Sequence, residues 1–146
     1  MAKRVIGRKD IVSFPGFGLE NVPVKIDSGA YSSSMHCHSI NLVDVDGKQV
    51  LEVVFLDPSI EGYTGKKFRF DSYIRKKVKS SNGMSEERFF VLGTVRLFNE
   101  TVETLFSLTE RTGLRNPVLL GRRLLNKRFL IDSSKTNCSF KAESLS

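Results

Sequence analysis

The chain is a succession of short apolar-rich and alternating runs set off by turn residues, the pattern of β-strands. "DIVSFP" and "VPVKID" read as short strands separated by the turn cluster "GFGLEN". "INLVDVDGKQVLEVVFL" reads as two strands around Asp46-Gly47, a pair suited to a two-residue hairpin turn. "EGYTGKKFRFDSYIRKKVK" alternates after its glycines, and "SSNGMS" holds a second tight-turn pair, Asn82-Gly83. "ERFFVLGTVRLF" and "TVETLFSL" form a further hairpin around Asn99-Glu100. One short helix is expected over Gly121 to Asn126, directly after an apolar strand, Val118 to Leu120. "RFLID" returns as a strand, and the tail "KAESLS", residues 141–146, is expected to fray. Many short strands with turns every 8–12 residues predict a mainly β domain, a small barrel or sandwich. The late helix fits an immunoglobulin-like sandwich poorly.

Length and composition narrow this picture. The 146 residues suit one domain, 1–146, with no repeat, low-complexity segment or linker. No apolar run approaches the ~18–20 residues of a membrane span. The basic N-terminus "MAKRVIGRKD" lacks the apolar stretch of a signal peptide, so the chain as given reads as cytoplasmic, a trimmed leader aside. Cys37 and Cys138 do not make a disulfide framework and read as reduced thiols. The net charge of +7, from 23 basic and 16 acidic residues, attracts polyanions. The densest cluster is "YIRKKVK". Alternation puts Arg75, Lys77 and Lys79 on one face and Lys76 and Val78 on the other. That face is either plainly solvated or a guide for an acidic substrate. No zinc finger and no aromatic RNA-binding motif accompanies it, so no nucleic-acid partner is expected.

Two constellations carry chemistry. The first is "VKIDSGA", a strand followed by Asp27, Ser28 and Gly29. Two carboxylates about 3 Å apart share a proton, because both cannot ionise at that distance. One then serves as base toward water and the other as acid toward a peptide carbonyl, with no metal and no covalent intermediate. Such a site needs an Asp on a tight loop after a buried strand, a small hydroxyl to lock the loop, and a Gly for close approach. The same tripeptide is also good turn chemistry, and Asp-[Ser/Thr]-Gly arises by chance in roughly one chain of this length in fifteen. The second constellation is His36-Cys37-His38. On a strand His36 and His38 share a face and Cys37 points away, and there is no H-E-x-x-H, no C-x-x-C and no third His. No phosphate-cradling G-x-x-x-x-G-K-[ST] is present either.

Longer segments separate these readings. "VIGRKDIVSFPGFGL", "VKIDSGAYSSSMHC", "VKSSNGMSEER" and "NPVLLGRRLLNKRFLID" occur in that order from about Val5 to Phe140. Together they resemble the bacterial retropepsin-like family labelled ATP-dependent zinc proteases, found near ATP-grasp peptide ligases. The last segment is also similar to the strand–Gly–Arg–helix region of retroviral proteases. The resemblance implies a small closed barrel of the acid-protease type, with residues 5–140 as its core. It implies Asp27 as the catalytic acid, Ser28 fixing the loop and Gly29 giving close approach. Ala30 follows them, and Ser80, Ser81, Asn82, Gly83, Glu86 and Arg88 match a second motif, near or supporting the substrate cleft. Where the family carries His after S-S-N-G, this chain has Met84.

Only one Asp-[Ser/Thr]-Gly is present, since Asp132-Ser133-Ser134 and Asp71-Ser72-Tyr73 lack the Gly. A two-carboxylate mechanism then requires a homodimer in which Asp27 meets its symmetry mate. The expected function is that of an aspartic endopeptidase acting on peptides or proteins, including acidic, glutamate-rich ones, without metal or other cofactor. One alternative is a non-catalytic peptide-binding module of the same fold, which Met84 makes credible. The other is a zinc hydrolase using His36 and His38.

Overall fold

The computed structural model describes residues 3–79, 83–110 and 116–145. Eleven strands follow in order: β1 Arg4–Ile6, β2 Lys9–Phe14, β3 Leu19–Ile26, β4 Ser33–Val45, β5 Lys48–Phe55, β6 Phe68–Phe70, β7 Ile74–Lys79, β8 Ser85–Leu97, β9 Glu100–Thr109, β10 Val118–Leu120 and β11 Phe129–Ile131. Two helices, α1 Arg122–Leu125 and α2 Cys138–Ser144, and a 3-10 turn at Pro15–Phe17 complete the elements among the described residues. None of these helices is long and apolar enough to cross a membrane.

The main sheet runs β10-β3-β2-β8-β9-β4, and β4 also pairs with β10. That last pairing closes a barrel-like ring, the mainly β fold expected. The far half of β4 leaves the ring and pairs with β5, which pairs with β6. Strand β7 pairs with β8 as a projecting hairpin. Strands β1 and β11 form a separate parallel pair.

Alternation explains the interior. Strand β3 buries Leu19, Val22, Val24 and Ile26, and Phe17 stacks on Phe55 with ring centroids 4.1 Å apart. Phe14, Phe70 and Phe106 surround that pair. The 3-10 turn bends the chain into β3 at Leu19, so the turn is shorter than "GFGLEN" suggested and Leu19, Glu20 and Asn21 are strand residues. The Asp46-Gly47 hairpin forms as expected, both residues having positive φ. The β8–β9 turn sits one position earlier than expected, on Phe98 and Asn99, whose φ angles are 52° and 62°. Glu100 already pairs with Leu97.

The helix expected at Gly121–Asn126 is α1, with Gly121 and Asn126 as its caps. The expected frayed tail is corrected. Residues 141–144 lie in α2, docked on β2 by one carboxylate. Asp10, only 1% exposed, accepts the N–H groups of Ser139 at 2.9 Å and Phe140 at 3.1 Å. It also accepts its neighbour Ile11's N–H at 2.8 Å. An acceptor 129 residues away stands in for a local cap, which is why the local sequence gave no sign of the helix.

Asp10→Ala should strand these donors, at about 1–3 kcal/mol for each left unsatisfied, and lower Tm by about 5–10 °C. Burial raises the Asp10 pKa above its ordinary 3.8, against the three N–H donors. The folded state then binds this proton more tightly than the unfolded one. The stability Asp10 contributes is full below about 3.8 and declines as pH rises through the raised value. The Tm gap between wild type and Asp10→Ala should therefore narrow from pH 3 to pH 7 in calorimetric scans.

Candidate active site

Asp27 stands one residue beyond β3, half-buried, where the strand runs into a loop. Its N–H reaches the Leu120 carbonyl at 2.9 Å, extending the parallel β3–β10 ladder by one bond. Its Oδ1 accepts the Gly29 N–H at 2.9 Å, and its carbonyl accepts the Ala30 N–H at 3.3 Å. The carboxylate is thus aimed by its own turn. Ser28 and Gly29 form the exposed tip and Ala30 is half-buried.

The start of α1 clamps the loop from the other side. Arg122 and Arg123 donate backbone N–H groups to the carbonyls of Ala30 and Tyr31, at 2.8 and 2.9 Å. The Gly121 N–H donates to the buried Ser33 hydroxyl at 3.1 Å. The Arg122 guanidinium donates to the Ser28 carbonyl at 2.9 Å and lies over the Tyr31 ring. Side chains cannot fit at the crossing: a Cβ on Gly121 would fall 2.6 Å from the Ser32 carbonyl oxygen. Arg122 and Ser33 were not singled out from the sequence. "LLGRR" was the available signal for the former, but its contact with Ser28 exists only across the fold.

The second group of expected residues lies on the β7–β8 hairpin. Ser80, Ser81 and Asn82 are outside the described residues. Gly83 is exposed with φ 83°, and Met84 is 69% exposed. Glu86 and Arg88 form an ion pair with each other and line a hollow of about 270 Å³ with Glu87, Phe89 and Glu110. These residues share a hairpin, while Asp27 to Ala30 share a loop. On the other hairpin face Arg75 pairs with Glu87 at 2.7 Å, and Lys77 and Lys79 are exposed.

The His-Cys-His run does not gather into one cluster. A bulge separates Cys37 from Ser39. His36 is buried and its Nε2 lies 2.8 Å from Asp57 Oδ2. Asp57 is held below the ordinary carboxylate range by the Ser59 hydroxyl and N–H first, with His36 adding to them. His38 is exposed, edge-on to Tyr63, and Cys37 is packed in the core, where burial raises its thiol pKa. No group of three His, Cys, Asp or Glu side chains converges among the described residues. Asp132 is likewise occupied, its Oδ1 accepting both the N–H and hydroxyl of Ser134.

The comparison with known families matches this architecture. The model of the retropepsin-like aspartic endopeptidase family RimB-like covers residues 5–142. The chain belongs to the RimB-like family. Curated relatives include a Shewanella pealeana protein named "Probable alpha-L-glutamate ligase", 30% identical over 138 residues, which are 93% of this chain. A Desulfotalea psychrophila protein of the same name is 28% identical over 90% of this chain. The chain spans only about 30% of the first relative's length and 28% of the second's. Among solved structures, a Legionella pneumophila protein of unknown function shares the fold, with TM-score 0.72 and 21% identity. The match covers 94% of this chain and 99% of that one. In this RimB-like chain, Asp27 is the aspartate of the single Asp-Ser-Gly loop.

Proposed function

We propose that this RimB-like domain hydrolyses peptide bonds as a homodimer, with Asp27 of each protomer forming the catalytic pair. The observation that carries the reading is the loop itself. A lone half-buried aspartate is held by its own Gly29, by Leu120 and by the clamp at Ala30 and Ser28, with an exposed tip. Such rigidity suits a group that must meet its counterpart within hydrogen-bond distance. One carboxylate takes a proton from water as the water attacks the scissile carbonyl. The protonated partner donates to the carbonyl oxygen, and the resulting diol collapses as a proton passes to the leaving nitrogen. The Ser28 hydroxyl, exposed at the tip, is free to bond the partner loop.

The β7–β8 hairpin covers the cleft in this reading, and its lysines favour acidic peptides. Relatives named as glutamate ligases suggest the product of such ligases, a glutamate-rich tail, as the substrate class. The deciding experiment measures oligomeric state by sedimentation on the samples used for cleavage of a glutamate-tailed peptide. Specific activity should rise with protein concentration in step with the dimer fraction. Turnover by a strict monomer would sink the paired-aspartate mechanism. A monomer that binds the peptide without cutting it would make this a binding module.

A further inference from the structure

One row of side chains crosses the main sheet from Asp27 to the hairpin. Paired residues in neighbouring strands point to the same side, as do alternate residues along a strand. Lys25 pairs with Leu119, Leu119 with Ser34, Ser34 with Ser107, and Ser107 with Phe90. The ladder continues through the Asp27 N–H to Leu120, so Asp27 falls on the Lys25 side. Lys76 joins the far end, its ammonium 5.8 Å from the centre of the Phe90 ring. Leu119 and Ser34 are half-buried, and Ser107 is only 4% exposed.

Ser107 is anomalous in this row. Its hydroxyl is buried with no hydrogen-bond partner among the described residues. A hydroxyl stranded in this way calls for an explanation. Beside it stands Ser34, one strand spacing away, with its side chain partly open to solvent.

We propose that Ser34 and Ser107 form a specificity subsite on the wall of the Asp27 cleft, taking a carboxylate-bearing side chain of the peptide with Lys76 as counter-charge. A serine hydroxyl donates one hydrogen bond and rotates freely to do so. A carboxylate entering past Ser34 satisfies the stranded donor, whereas an apolar side chain leaves it unpaired. Sites that hydrogen-bond the right ligand reject the wrong one strongly for this reason. Ser107 lies three strand spacings from the strand that carries Asp27, about 14 Å, which is the span of about four residues of extended peptide. The subsite therefore reads a side chain within about four residues of the scissile bond. The proposal rests on the hydrolase reading for the position of that bond, but not for binding.

The test uses a hexaglutamate-tailed peptide and a series in which one Glu at a time becomes Leu. Cleavage is measured with wild type, Ser107→Ala and Ser107→Thr, and binding by calorimetry in the Asp27→Asn background. At one position, wild type should lose about ten-fold in kcat/KM on Glu→Leu, on the scale of one hydrogen bond to a charged group. Ser107→Ala should erase that difference, Ser107→Thr should keep it, and the Tm of Ser107→Ala should match or exceed wild type. Equal losses on every peptide, or a Tm fall of several degrees, would mark the hydroxyl as structural and overturn the proposal. If nothing is cut but calorimetry shows the same Glu preference and its loss in Ser107→Ala, the hydrolase reading falls and the subsite stands. No preference in either assay overturns the subsite.

Discussion

Asp27→Asn is expected, on the proposed paired mechanism, to abolish peptide hydrolysis by about 10³-fold or more, the scale of removing a general acid–base group, while the fold and the oligomeric state match those of wild type. Asn has the shape of Asp and keeps an oxygen to accept the Gly29 N–H, now made at 2.9 Å, so the turn survives. The ladder bond to Leu120 comes from the backbone and survives too. What disappears is the group that can hold or release a proton. Subunit mixing makes the test sharper. If both carboxylates of a dimer are required, a mixed dimer is dead. Adding an equal amount of Asp27→Asn should then roughly halve the activity per wild-type chain through random pairing. Activity that simply adds, untouched by the variant, would mean that each chain works alone.

Gly121→Ala carries the second large effect, on structure and site together. The added Cβ would lie 2.6 Å from the Ser32 carbonyl oxygen and 2.8 Å from that of Tyr31. Both obstacles are backbone, so neither can rotate away. Forcing the loop and helix start apart costs about 1–3 kcal/mol, the range for overpacked sites. It also pulls on the two bonds from Arg122 and Arg123 to Ala30 and Tyr31. Displacement of a reacting group by about 1 Å costs on the order of 10²-fold in rate. A lowered Tm with kcat/KM down by that factor is the expected result. Unchanged activity beside a lowered Tm would separate the clamp from the positioning of Asp27.

Local chemistry made much of this molecule readable before any fold was known. Asp46-Gly47 announces its hairpin because both residues accept positive φ. Gly121 after "VLL" marks the strand-to-helix junction, and α1 falls inside the expected span. The Asp27 loop was recognisable because its parts are contiguous: strand, acid, hydroxyl, glycine. The longer resemblance set that loop in a barrel of the right kind, and the family match supports the same placement.

Other features depend on residues far apart in sequence. Helix α2 exists because Asp10 on β2 supplies the acceptor that the segment itself lacks. His36 beside Cys37 and His38 looked like ligand chemistry, but Asp57, 21 residues on, takes its imidazole. Arg122 was visible in a motif, yet its hold on Ser28 spans 94 residues. The row from Asp27 through Leu119, Ser34 and Ser107 to Phe90 is built from five strands, and no local window contains it. The sequence by itself determined most strands, the Asp46-Gly47 turn and the contiguous Asp-Ser-Gly loop, because these follow from each residue's own conformational preferences and those of its neighbours. The tertiary structure alone decided which polar groups meet and which, like the Ser107 hydroxyl, have no partner among the described residues, because burial and pairing across a closed sheet are set by register between distant strands.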